Sequence, residues 1–201
     1  MAVNCVYHAR VLARLQPLNP FTTPEARRLA LLFAVVYFAQ GMWYLPNQTI
    51  TIVFKERLGL SAGQVATFFA IAVVPWLLKP VYGLLSDFVP IFGYRRKSYF
   101  LGGSALASLA ALTVVVVGGP AFWPLAVLFT LMGFGLALTD VITDAVMVEN
   151  GRALGLTGAF QSVQWAAIYT ASALVGLVGG YLAETRSLRT TFAVAALFPL
   201  L

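Results

Sequence analysis

The sequence predicts an all-α, polytopic membrane protein, and three observations carry that expectation. Of the 201 residues, 60% are hydrophobic and only 10% charged, whereas soluble domains carry about a quarter charged residues. Mean hydropathy is +0.86. Apolar stretches approach or exceed the length of about 20 residues that a helix needs to cross a bilayer, and short polar or basic connections separate them. The net charge of +6 would suggest a nucleic-acid partner in a soluble chain. Here Lys and Arg cluster where apolar segments end, so orientation in the lipid bilayer explains them and no nucleic-acid partner is expected.

Residues 1–24 read as a cytoplasmic tail, since they lack the apolar core and small-residue cleavage site of a secretory signal. The absence of any acidic residue before Glu25 would also suit a transit peptide. The only cysteine is Cys5 and the only histidine His8, so neither a disulfide framework nor a Cys/His metal site can be assembled, and no metal or cofactor is expected. Residues 25–201 form the transmembrane bundle. In "TPEARR", Thr23 is placed to cap the first helix and Pro24 to open its first turn.

Spans are expected at about 29–54, 63–86, 98–118, 121–148, 156–182 and 190–201. The last, "TTFAVAALFPLL", is too short to cross, so the chain is expected to stop inside a sixth helix. Arg10, Arg14, Arg27, Arg28, Arg95, Arg96, Lys97 and Arg152 flank one side and Lys55, Arg57, Arg186 and Arg189 the other, eight against four. That bias puts the N-terminus in the cytoplasm. Gly102, Gly103, Ala107, Ala110, Gly133, Gly135, Gly176 and Gly180 read as surfaces where helices approach closely. Pro46, Pro75 and Pro80 lie within spans, where proline breaks the backbone ladder.

Polar groups at membrane depth must face the bundle interior or a wet cavity. The first span offers Gln40, Trp43, Asn47 and Gln48, the second Lys79, and the fifth Gln161, Gln164 and Trp165. In the fourth, Asp140 and Asp144 are four apart and share one helical face. With a rise of about 1.5 Å per residue, Lys79 lies about 12 Å above the cytoplasmic end of its span near Asp87, and Asp140 about 13 Å above the end of its span near Glu149. The two are therefore level, and an ion pair between them would relieve the desolvation of both. Such a pair either locks two helices together or belongs to a substrate or proton site.

Other patterns carry less. "NQT" at 47–49 fits a glycosylation acceptor but falls inside a span, out of reach of the modifying enzyme. Gly83 to Lys97 has ingredients of a phosphate loop without the lysine and hydroxyl residue at the required spacing. No hydrolytic constellation can be built with one tail histidine, so an enzyme is not expected.

"GLLSD" at 83–87 followed by "GYRRK" at 93–97 resembles the motif between the second and third helices of major facilitator transporters, with the basic cluster about three residues later than in the common form. Together with "YFAQG" at 37–41, "ERLGLSAGQVA" at 56–66 and "TDVITDAVMVENGR" at 139–152, the chain resembles the folate-biopterin transporter family, a branch of that superfamily. The resemblance implies a twelve-helix transporter of two halves, of which this chain is the six-helix N-terminal bundle with its sixth helix truncated, so that the C-terminal half is a missing partner. It implies secondary transport by alternating access, with a coupling ion or proton, of a small organic solute such as folate or a pterin.

By the same resemblance, Gly83, Asp87, Gly93, Arg95, Arg96 and Lys97 form a cytoplasmic gate, while Lys79, Asp140 and Asp144 match charged positions of the family pattern. A carboxylate can accept two hydrogen bonds from a pterin edge, Trp43 or Trp165 can stack on its ring, and an ammonium can hold a glutamyl carboxylate. Asp140 or Asp144 would equally serve as a proton carrier. A bacterial inner membrane and a plastid envelope both fit. From another class, a non-transporting six-helix half with a structural or assembly role, or a facilitator of another solute, remains an alternative.

Overall fold

The computed structural model describes residues 20–117, 119–184 and 187–201. Cys5, His8, Arg10, Arg14, Gly118, Arg186 and nearly all of the 1–24 tail lie outside the described residues. Among the described residues the chain is all-α, with five helical segments long and apolar enough to cross a membrane and one shorter apolar helix. It is an integral, multi-pass membrane protein.

The first span is helix α1 (Pro24–Gly41), a single 3-10 turn (Met42–Tyr44) and α2 (Pro46–Glu56). Thr23 Oγ1 accepts from the Ala26 amide at 3.1 Å, satisfying one of the donors that every helix start leaves open. Pro46 brings no amide hydrogen and crowds the carbonyl four residues back. The chain tightens accordingly, with the Leu45 amide bonding to the Met42 carbonyl at 3.0 Å.

The second span is also broken. Helix α3 (Ala62–Leu77) starts in a reciprocal cap in which Ser61 and Gln64 bond each other's amides. It stops at Leu78, whose φ of −90° and ψ of 4° are not helical, and α4 (Lys79–Phe88) follows. Pro75 and Pro80 bracket this break, so the span bends where two amide donors are missing. Lys79 is the first residue of the second segment.

Helix α5 (Lys97–Val117), α6 (Phe122–Leu154) and α7 (Thr157–Glu184) are continuous, and α8 (Leu188–Ala195) with a 3-10 turn (Phe198–Leu200) ends the chain. The fourth span runs past the expected 148 to Leu154. Polar Glu149 and Arg152 suit the water side of a helix as well as a loop, and the stop is set instead by Gly155, whose φ of +66° is left-handed.

Helix α6 is the central element. It packs on α5 through glycines: a Cβ on Gly103 would lie 2.8 Å from the Gly135 carbonyl oxygen, and one on Gly135 would lie 2.7 Å from the Ala107 amide. Small residues let these backbones touch. Gly102 and Gly176, expected to share such surfaces, would meet nothing within 4 Å, because they point away from the neighbouring helices. The main core joins Trp43, Phe54, Phe68, Phe129 and Phe192, and a second cluster gathers Phe33, Met147 and Phe160.

Candidate functional site

Four spans contribute to one polar cluster inside the bundle. From α6, Asp140 and Asp144 project one turn apart, as their spacing requires. The Lys79 ammonium, at the break in the second span, forms an ion pair with Asp140 Oδ2. The lysine side chain is 38% exposed while that of Asp140 is 2% exposed, so the pair is sealed on the carboxylate side and open on the ammonium side. The same ammonium lies 5.5 Å from the centroid of the Trp76 ring, an additional favourable contact for a cation.

Asp144 has different company. The Tyr37 hydroxyl of α1 donates to its Oδ1, and Gln164 Nε2 of α7 donates to the same oxygen at 3.3 Å. Its direct partners are thus neutral donors. The cluster holds two carboxylates against one ammonium, a composition suited to hold a proton, a cation or a hydrogen-bond-donating solute. Tyr37 does not stand out in the sequence as a site residue. "YFAQG" held it, but a tyrosine in an apolar helix is more often a packing residue, and only the crossing of α1 over α6 puts its hydroxyl on Asp144.

A second set of polar atoms runs along the first span. Gln40 Oε1, Trp43 Nε1 and Asn47 Oδ1 are buried without a hydrogen-bond partner among the described residues, as is Gln164 Oε1. Their spacing of three and four residues puts the first three on one helical face around the 3-10 turn. Each unpaired buried group costs about 1–3 kcal/mol, which makes this stripe a natural place for water or a polar solute. Gln48 lies instead against Gly179 and Gly180 of α7, where a Cβ on Gly180 would be 3.5 Å from its Oε1.

The two tryptophans separate. Trp43 is 3% exposed, with its ring parallel to Phe129 at 5.0 Å and edge-on to Trp76 at 5.3 Å. One face is covered by the Phe129 ring, and the side chain lies within the core. Trp165 is 49% exposed on α7, one turn beyond half-buried Gln161.

At the ends of the second, third and fourth spans the charged groups form a clamp. Arg96 donates to Glu149 through both terminal nitrogens, at 2.6 and 2.5 Å, and also stands 3.5 Å from Asp87 Oδ1. Arg95 reaches the same Asp87 oxygen at 3.4 Å, and the Lys97 ammonium covers the Tyr94 ring at 5.5 Å. In the sequence Glu149 marks only a span end, since its partner sits 53 residues away. Gly93, at φ +79°, closes the turn between Ile91 and Tyr94. Gly83 does not mark a close helix approach, because a Cβ there would meet Val141 Cγ1 at an ordinary 3.7 Å.

A multi-pass helical bundle with an ion pair and a second carboxylate inside it, and with a charged clamp where its spans end, is an arrangement that suits a membrane transport protein. The chain belongs to the BT1 family, whose match covers residues 40–201. It is 36% identical over 181 residues to the folate-biopterin transporter of Synechocystis sp., covering 89% of this chain and 36% of that protein. It is 29% identical to the probable folate-biopterin transporter 4 of Arabidopsis thaliana, over 85% of this chain and 35% of that protein. It is 27% identical to folate transporter 1 of Plasmodium falciparum, over 83% of this chain and 34% of that protein. The chain therefore spans about a third of the length of the curated relatives it matches. No solved structure matches it.

Proposed function

We propose that this chain forms part of a secondary transporter that carries a pterin or folate-like organic anion across a membrane by alternating access. The observation that carries the reading is the cluster of Lys79, Asp140, Asp144, Tyr37 and Gln164, drawn from four spans and open to one side through the half-exposed lysine. The names of the relatives support the solute class. In this reading Lys79 meets a carboxylate of the solute, Asp144 accepts hydrogen bonds from an amino-substituted ring edge or takes up the coupling proton, and Gln40, Asn47 and Gln161 line the path.

The Asp87–Arg96–Glu149 clamp acts as the cytoplasmic gate, as in major facilitator transporters, because it ties the ends of three spans at the water boundary rather than at midplane. The N-terminus is cytoplasmic, supported by the excess of Lys and Arg on its side. A second helical half completes the passage, supported by the greater length of the relatives.

Uptake of radiolabelled folate and biopterin in cells carrying the full-length protein, and its Lys79→Ala and Asp140→Asn variants, tests this directly. Saturable uptake by the wild type, lost in both variants at equal surface expression, is expected. Unchanged uptake in both variants would remove the site assignment. No uptake of either compound by the wild type would remove the solute class.

A further inference from the structure

Helix α7 carries an aromatic pair that the polar cluster does not use. Trp165 and Tyr169 are one turn apart, 49% and 66% exposed, with ring centroids 5.5 Å apart and planes inclined by 28°. From Thr157, the first residue of the helix, they lie about 12 and 18 Å along the axis. Exposed Trp and Tyr in membrane proteins gather at the two water boundaries, where the ring is apolar and its polar tip stays wet. This pair sits near the middle of a span of 28 residues. In hydrocarbon the Tyr169 hydroxyl would have no partner, and none is found for it among the described residues, so lipid is a poor neighbour for this face.

The surroundings indicate what would suit it. Gln164 precedes Trp165 but turns into the bundle, where it is fully buried, donates to Asp144 at 3.3 Å and keeps its Oε1 unpartnered. Gln161 lies one turn before Trp165 on the same face. A stacked aromatic surface with an amide side chain one turn away on the same face matches a flat nitrogen heterocycle that carries hydrogen-bonding groups on its edge.

We propose that Trp165 and Tyr169 are a stacking platform that reads the bicyclic ring of the solute, while Lys79 reads its carboxylate tail. The proposal rests on the transport reading above and divides its site into a ring subsite on α7 and an anion subsite at the break in the second span.

The test is competition against radiolabelled folate uptake by the full-length protein, using pterin-6-carboxylate as the ring portion and p-aminobenzoylglutamate as the tail portion. Trp165→Leu and Tyr169→Leu are expected to weaken competition by the ring portion about tenfold or more, the range seen when a stacking side chain is truncated. Competition by the tail portion should hold. Trp165→Phe, which keeps a ring, should retain most of the ring affinity, and Trp165→Gln repeats the test on a side chain that tolerates a wet face.

Unchanged competition by the ring portion would overturn the platform. So would an equal fall for both portions, or loss of surface protein in the leucine and glutamine variants alike, since either means the pair packs against a helix or lipid. A wild-type protein that takes up no folate would overturn the transport reading and this one with it, an outcome distinct from the others.

Discussion

Lys79→Met leaves the Asp140 carboxylate, whose side chain is 2% exposed, without its cation. Removing one partner of a buried pair costs about 3–5 kcal/mol. Asp140→Leu leaves an ammonium whose side chain is 38% exposed and can keep part of its water, so its loss falls nearer about 1–2 kcal/mol. Replacing both with apolar residues of similar size is often close to neutral. If the losses simply added, the double variant would be down by about 4–7 kcal/mol; the pair predicts a loss within about 1 kcal/mol, a coupling of about 3–6 kcal/mol.

Thermal denaturation of the purified full-length protein measures the coupling, and folate uptake at matched surface expression measures function. Stability is expected to return in the double variant while uptake stays lost, because the solute has lost its ammonium. Recovery of both together would refute the substrate role and leave the pair as a helix lock.

Other outcomes follow from the same geometry. Gly135→Ala puts a methyl 2.7 Å from the Ala107 amide and should destabilise by about 1–3 kcal/mol through overpacking, whereas Gly102→Ala, with nothing within 4 Å, should leave the melting temperature unchanged. Tyr37→Phe removes one donor to Asp144; a rise in KM for uptake with a stability loss of only about 1 kcal/mol is expected, and an unaltered KM would count against the role given to Asp144. Arg96→Lys keeps the charge but loses the two-pronged contact to Glu149, so the maximal transport rate should fall with KM nearly constant. A change in KM alone would contradict its place at the gate.

The depth of the polar groups is legible in the sequence, and their partners are only partly so. Rise per residue fixes how far along a span each residue lies, so Lys79 and Asp140 come out level before any packing is known. Which way a side chain points depends on where neighbouring helices cross. That is why Tyr37 and Glu149 are missed, and why Trp43 is read as a stacking surface although Phe129 and Trp76 enclose it. The prolines announce two interrupted spans, but only the backbone shows that the second interruption falls at Leu78 and delivers Lys79 at the start of a helix. Glycine counts suggest close packing without saying which glycines face a partner, and Gly103 and Gly135 do while Gly102 and Gly176 do not.

Equilibrium binding of radiolabelled folate to the purified full-length protein, wild type against Asp144→Asn, tests most directly whether the cluster is a solute site. Asn keeps the shape and one acceptor oxygen for Tyr37 and Gln164 but removes the carboxylate charge. Saturable binding by the wild type that weakens at least tenfold in a variant with unchanged melting temperature is the expected result. Equal affinity in both proteins would contradict the assignment of this cluster to solute binding.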